Sequence, residues 1–177
     1  MRARIDALDT LAILRLGLLA LAVGAVLVTT LELTFLAHWD GTLQLLPWAA
    51  LAMAAIAIAL LVVRSRPAML RTARVLAVIV FAMGGVGVLV HVIQNRDAGV
   101  LDYRYADTWA TMGDLRQWWL AATGGVGPSP PLAPMSLAFA ALLILLAGLR
   151  LPDRVTRRAE GPGPAAVPAH DARSARR

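Results

Sequence analysis

The chain contains no cysteine and no lysine. The missing cysteine excludes disulfides, thiolate zinc sites, cysteine-ligated iron–sulfur clusters and covalently attached c-type haem. Any bound metal would therefore need histidine and carboxylate ligands, and the chain has only 3 histidines. Since there is no lysine, all 17 basic residues are arginine, which together with abundant Ala, Gly and Pro is typical of GC-rich coding in a bacterium.

Charge is also scarce, because 16% of the 177 residues are charged whereas 59% are hydrophobic, with a mean hydropathy of +0.68. These values lie outside the usual range of soluble domains. Four apolar runs stand out, at residues 16–36, 45–63, 75–93 and 132–149. Each is long enough to cross a hydrocarbon core of about 30 Å, and in lipid such segments must be helices. The sequence predicts an all-α integral membrane four-helix bundle over residues 1–150, followed by a disordered Arg/Pro/Ala-rich cytoplasmic tail over 151–177.

The distribution of arginine predicts how the bundle is oriented. Only Arg96, Arg104 and Arg116 fall on one side of the predicted membrane, and the other arginines fall on the opposite side. The positive-inside rule then places both termini in the cytoplasm of a bacterial plasma membrane, with residues 37–44 and 94–131 outside. The net charge of +6 is explained as an orientation signal, so the predicted partner is the lipid bilayer and not nucleic acid.

Aromatic side chains are concentrated on the predicted outer side. All five tryptophans lie there: Trp39, Trp48, Trp109, Trp118 and Trp119. We expect them to form an aromatic lid over the outer surface. Residues 108–121 predict a short interfacial helix, because their apolar residues project into one arc at about 100° per residue. That arc contains Trp109, Met112, Leu115 and Trp119, with Arg116 expected to extend from it toward water.

Glu32 is the residue that most needs a partner. Insertion of an acidic side chain into the membrane costs about 2.5 to 3.5 kcal/mol at the centre of a span and less toward the interface. Spans one and three run in the same direction, and Glu32 and His91 both lie about 9 Å beyond the span midpoints on the outer side. His91 shares its helix face with Gly84 and Gly87, which are small enough to allow close helix approach. We therefore predict a hydrogen bond or ion pair between Glu32 and His91.

Other polar residues extend this predicted cluster on the outer side. They are His38, Thr29, Gln94 and Asn95, of which Thr29 could donate to Glu32 from one turn below. If a metal binds, the ligands would be His91, His38 and Glu32. No HExxH motif, nucleophile elbow or plausible Ser-His-Asp set is present, so an enzymatic role is not favoured.

Three roles remain open for the cluster. As a structural element it would fix the register of two spans in an accessory or scaffold subunit without a cofactor, associated with other membrane subunits or with copies of itself. As a working site, His91 would bind a b-type haem, a metal or a quinol beneath the lid. A small proton-coupled or solute transporter is the third interpretation, although no acidic or histidine residue continues a path through the inner half. The sequence favours the accessory role.

A set of short motifs marks the ends of the four spans: Glu32 and His38, Gln44 and Pro47, residues 87–91 with Asn95, and Leu132, Ala133 and Pro134. With these motifs the chain resembles an uncharacterised family of small bacterial four-span integral membrane proteins, over about residues 15–150. The resemblance implies an architecture and no activity. By its size and by Arg15 at the start of span one, the chain is also similar to DoxX-like four-span proteins.

Overall fold

The computed structural model describes residues 2–63 and 66–149, with side chains from residue 10 onward. All regular elements in these ranges are helical, which confirms the all-α prediction. They are α1 (Arg2–Phe35), α2 (Leu46–Val63), α3 (Pro67–Ala98), α4 (Asp114–Ala122) and α5 (Met135–Ala147). Short 3-10 turns occur at Thr42–Leu45, Gly99–Leu101 and Trp109–Thr111. The predicted tail, residues 151–177, and many of the arginines that predict orientation lie outside the described residues.

Three helical segments are long and apolar enough to cross a membrane: Thr10–Phe35, Thr42–Val63 and Pro67–Leu101. The remaining apolar helix, α5, has 13 residues and is therefore only about 20 Å long at 1.5 Å per residue. The predicted run 132–149 begins as turns and becomes α-helical at Met135. Pro134 directly precedes that start, as expected for a residue that lacks an N–H but has a helix-compatible φ.

The short helix α5 is the centre of the bundle, because it packs on α1, α2 and α3. More than half of its residues are buried. Alanines such as Ala54, Ala77 and Ala141 are completely buried where the helices meet, and their small side chains let the helix axes approach closely. α3 also packs extensively on α2, whereas α1 and α3 make no extensive contact with each other. α1 and α3 therefore lie on different sides of the α2–α5 pair.

α3 and α5 run antiparallel, and an arginine fixes one end of their contact. Gly84 lies against Ala138, and Arg74 donates from Nε (3.2 Å) and Nη2 (2.7 Å) to the carbonyl oxygen of Gly148. This carbonyl follows the last turn of α5, where a cation also interacts favourably with the helix dipole. The opposite end of the bundle, where α3 ends, is covered by the connection between α3 and α5. We call residues 99–126 of this connection the cap.

Candidate functional site

A proline-rich return segment, residues 127–134, leads from the cap into α5. Half of its residues are proline: Pro128, Pro130, Pro131 and Pro134. Because proline has no amide N–H, these residues cannot donate a backbone hydrogen bond, yet their carbonyl groups still require donors wherever water is excluded. Side-chain donors on a neighbouring helix can therefore supplement the few backbone amides of the segment and hold it in place.

α3 supplies these donors. Asn95 is completely buried, and its Nδ2 donates to the carbonyl oxygens of Ser129 (2.7 Å) and Ala121 (3.3 Å). Its Oδ1 accepts from the Ser129 amide at 2.9 Å. One turn earlier, His91 Nδ1 lies 2.9 Å from the carbonyl oxygen of Pro130. Since a carbonyl oxygen can only accept, Nδ1 carries a proton in this contact, and in the neutral form of the ring Nε2 is then the acceptor nitrogen.

Glycines on the same face of α3 allow the return segment and α5 to come close. A Cβ atom at Gly84 would lie 2.9 Å from both the Cβ and the amide nitrogen of Ala138. A Cβ atom at Gly87 would lie 2.7 Å from the Cβ of Pro134. We call this face the return-segment stripe; it consists of Gly84, Gly87, His91 and Asn95. It combines the space for a close approach with the donors that the proline-rich backbone requires.

A hydroxyl pair connects α1 to the same region. Thr29 is buried, and its Oγ1 donates to Ser136 Oγ at 3.2 Å, which in turn donates to the Ala133 carbonyl at 2.9 Å. The predicted donation from Thr29 to Glu32 is therefore replaced by a bond to Ser136. Ser136 is absent from the predicted cluster, although it is the only hydroxyl-bearing residue in the apolar run 132–149.

The predicted Glu32–His91 pair is wrong. His91 hydrogen-bonds to Pro130, and the Glu32 side chain is exposed on the surface of α1. Glu32 makes no side-chain hydrogen bond or ion pair to any residue in the described ranges. Similar depth was not enough to bring the two residues together, because α1 and α3 are not neighbours in the bundle.

His38 and Gln94 do not join the predicted cluster either. Gln94 is exposed, and the His38 carbonyl accepts from Trp48 Nε1 at 2.7 Å in the turn between α1 and α2. The predicted metal ligands His91, His38 and Glu32 do not converge. Within residues 2–63 and 66–149, no three His, Asp or Glu side chains come together as a metal site.

The tryptophans occupy separate positions and do not form one continuous lid. Trp39 and Trp48 pair at 6.4 Å between ring centroids, the only ring–ring contact in the described part of the chain. Trp109 is buried against Gly99, where any side chain larger than hydrogen would collide with the indole. Trp109 therefore serves as a core residue of the cap, and the predicted apolar arc is divided between the interior and the surface.

Arg96, in the last turn of α3, positions α4. Its Nη2 donates to Asp114 Oδ1 at 2.8 Å and to Gln117 Oε1 at 2.9 Å, and its guanidinium lies 4.7 Å from the ring centroid of Trp118. Gln117 is itself buried, and its Nε2 donates to the Trp109 carbonyl at 2.7 Å. Three residues of α4 thus contact one side chain of α3. Sequence periodicity identified the helix but gave no role to Gln117.

A second arginine closes the turn before Trp109. Arg104 donates to both carboxylate oxygens of Asp102, at 2.9 and 2.6 Å, and to the Gly125 carbonyl at 2.7 Å. Hydrogen bonds from the Arg104 side chain and backbone lower the pKa of the Asp102 carboxyl below its usual value. The same pairing raises the pKa of Arg104. Through Arg104, the turn at Asp102 is connected to the backbone that follows α4 at Gly125.

The structure thus shows polar side chains that support an irregular backbone segment, and one acidic side chain, Glu32, that is left outside this arrangement. His91 Nε2 makes no hydrogen bond within the described residues, whereas Asn95 Nδ2 donates to two carbonyl oxygens of the chain. Comparison of the chain with known protein families, with curated proteins and with solved structures finds no match.

Proposed function

We propose that this chain is a bacterial plasma-membrane protein with four membrane-inserted helices and both termini in the cytoplasm. We further propose that it acts as a non-enzymatic accessory subunit that binds another membrane protein through α1. Three segments of sufficient length and apolarity support the membrane location. The return segment supports the insertion of α5, since irregular backbone at membrane depth is tolerated where protein groups satisfy it.

The position of Glu32 is the main support for a partner. α1 is the least enclosed of the three long helices, with 6% of its apolar window buried, compared with 28% for the segment that contains α2. Glu32 lies on the uncovered surface of this helix, one turn before the helix ends at Phe35. A carboxylate facing lipid is costly, and a hydrogen-bond donor on another chain would remove that cost.

The same surface of α1 has room for another helix. Gly17 and Gly24 would have no atom of this chain within 4 Å of an added Cβ, so their backbone is open to close approach. Small residues are enriched where membrane helices contact each other. The proposed partner is therefore a membrane helix that presents a donor such as Arg, His, Asn or Ser near the outer end of α1.

Photocrosslinking in native membranes tests this proposal. A crosslinking amino acid at Val28, which is exposed one turn before Glu32, should give a discrete adduct with another protein. Glu32→Leu should reduce that adduct strongly, whereas Glu32→Gln, which keeps hydrogen-bonding capacity, should retain most of it. The matched control is Val78, an exposed apolar position on α3, which should give no such adduct. Equal adducts at both positions, or an adduct unaffected by Glu32→Leu, would contradict a role for Glu32.

A redox role is the second candidate and rests on His91. Histidines that ligate metals usually donate their other ring N–H to a carbonyl or carboxylate, and His91 Nδ1 has such a contact with Pro130. His91 Nε2 would then be an axial ligand of a b-type haem or would accept a hydrogen bond from a quinol. A Soret band in the protein purified from its native membrane, lost in His91→Ala, would favour this role. A haem-free protein with no quinone bound would argue against it.

A further inference from the structure

The helix α4 buries a polar side chain and exposes two large apolar ones. Its polar Gln117 is 8% exposed and points into the cap, whereas Leu115 is 86% exposed and Trp119 is 68% exposed. A surface helix in water normally buries its apolar side and exposes its polar side. The surroundings of the outward face of α4 are therefore expected to be apolar, at least in part.

The height of α4 along the bundle agrees with a position at the membrane boundary. α4 is attached to Arg96 through Asp114 and Gln117. Arg96 follows the end of the apolar run 75–93 by three residues, which corresponds to about 4.5 Å along α3. At that height lipid acyl chains give way to headgroups, the region in which tryptophan is enriched.

The exposed face also contains a cation without a partner in the described chain. Leu115 and Trp119 lie one turn apart and, with Gly113 and Arg116, line an open groove. Arg116 is exposed and makes no side-chain hydrogen bond or ion pair to residues 10–63 or 66–149. This arrangement matches a phospholipid. Leu115 and Trp119 would contact its acyl chains, and the Arg116 guanidinium beside them would bind its phosphate.

We propose that α4 binds the outer leaflet of a phospholipid bilayer, with Leu115 and Trp119 inserted in the interfacial region and Arg116 on a lipid phosphate. This inference rests on the proposed membrane insertion of α1 to α3 and, for the choice of leaflet, on the proposed orientation. It gives α4 the role of a membrane-surface anchor, which holds the cap in a fixed position relative to the bilayer.

Site-directed spin labelling can test the anchor, because the chain has no native cysteine that would need to be removed. Single variants Leu115→Cys and Trp119→Cys would be labelled with a nitroxide and reconstituted in vesicles of phosphatidylcholine and phosphatidylglycerol. Both labels should be more accessible to oxygen, which partitions into lipid, than to a water-soluble nickel chelate. A label at Asp107, which is exposed on the cap, should show the opposite preference.

A fourth label, at the exposed residue Val78 of α3, separates the two proposals. If the label at Val78 is more accessible to oxygen while the labels at Leu115 and Trp119 are more accessible to the nickel chelate, the anchor is overturned and the membrane insertion stands. If Val78 also reports water, the proposed insertion itself fails. If Leu115 and Trp119 are shielded from both reagents, α4 is covered by protein and the lipid assignment is overturned.

The phosphate contact has its own test. Arg116→Gln should shift the label at Leu115 toward water, whereas Arg116→Lys, which keeps the positive charge, should restore most of the original depth. An unchanged depth in Arg116→Gln would overturn the assignment of Arg116 to a lipid phosphate and leave only apolar insertion.

Discussion

At the scale of single residues, Asn95 connects the cap and the return segment to α3 through three hydrogen bonds. It is completely buried and satisfies backbone groups of Ser129 and Ala121. We predict that Asn95→Ala destabilises the protein by about 1 to 3 kcal/mol, because buried backbone groups lose their partners. Chemical denaturation in detergent micelles would measure this loss.

The adjacent Gln94 provides a matched control for Asn95. Its side chain is exposed, so Gln94→Ala should change the free energy of unfolding by no more than about 0.5 kcal/mol. Similar effects of the two substitutions would show that burial and hydrogen bonding at Asn95 do not determine stability.

A second residue-scale prediction concerns two adjacent glycines of α3. Gly84→Ala introduces a methyl group against the backbone of Ala138 and should destabilise by about 1 to 3 kcal/mol, the usual cost of overpacking. Gly85 has no atom within 4 Å of an added Cβ, so Gly85→Ala should be neutral or slightly stabilising. Thermal unfolding of both variants would compare these positions; a reversed order would contradict the close approach of α5 to Gly84.

For α3, the residue-scale prediction was correct about the packing face and wrong about the partner of His91. The helical period placed Gly84, Gly87 and His91 on one packing face of α3, and the structure confirms that this face packs. The partner of His91 could not be deduced, because the acceptor is a backbone carbonyl that becomes available only through the proline-rich turns. Rules for pairing side chains lead from Glu32 to His91, but they do not consider backbone carbonyl groups as partners.

At the scale of elements, the cation at the end of α5 should contribute to its attachment. Arg74→Leu removes both hydrogen bonds to the Gly148 carbonyl and should cost about 1.5 to 3 kcal/mol, the range for hydrogen bonds to charged groups. Arg71→Leu is the matched control, since Arg71 is exposed on the same helix and the same charge is removed. The free energy of unfolding of both variants, measured by denaturation, distinguishes the two explanations. A loss in Arg74→Leu alone indicates the local hydrogen bonds, whereas an equal loss in both indicates a general effect of charge.

The cap should respond to acid through Asp102. Because pairing with Arg104 lowers the folded-state pKa of Asp102 below 3.8, the pair stabilises the cap at neutral pH. This contribution should begin to decrease as the pH falls below about 4, the ordinary pKa of Asp, and should be lost once the folded-state carboxyl, with its lower pKa, is protonated. Hydrogen exchange at the Tyr105 amide, which donates to the Asp102 carbonyl, would report the opening after correction for intrinsic rates.

Two substitutions check that this response comes from the ion pair. Asp102→Asn should give fast exchange at Tyr105 at every pH and remove the acid transition. Asp107→Asn changes a nearby exposed carboxylate and should leave the wild-type transition in place. A transition that persists in Asp102→Asn would assign it to another group.

The elements themselves were predictable where composition was uniform. The runs 16–36, 45–63 and 75–93 fall within or overlap α1, α2 and α3, because long apolar segments leave the backbone few alternatives to a helix. The last run was predicted as a helix from residue 132, but prolines and turns delay α5 to Met135. α4 starts at Asp114 and not at 108, since residues 109–111 form a 3-10 turn that buries Trp109.

At the scale of the whole molecule, the proposed orientation is open to direct measurement in the cysteine-free chain. Asp40→Cys and Asp107→Cys should react with a membrane-impermeant maleimide in intact cells, because both positions are on the predicted outer side and exposed. Ala68→Cys, exposed at the start of α3, should react only after the membrane is permeabilised. It leaves every arginine in place, so the topology signal is unaffected. The reverse labelling pattern would contradict the proposed orientation.

The arrangement of helices is the part of the fold that sequence periodicity could not supply. Depth is read along one helix at a time, whereas adjacency depends on the order of helices around the bundle. In the structure α5 occupies the centre, and α1 and α3 each pack on it without an extensive contact between them. That order explains both the failed Glu32–His91 pair and the observed Thr29–Ser136 bond.

The shortness of α5 has a consequence for biogenesis. With 13 residues it is shorter than the length of about 17 to 25 residues that a helix needs to span a bilayer. If α5 inserts as proposed, its burial against α1, α2 and α3 would compensate for its short length, and its insertion should follow the assembly of the first three helices. The return-segment stripe of α3 would then act as a template on which the last passage of the nascent chain is completed.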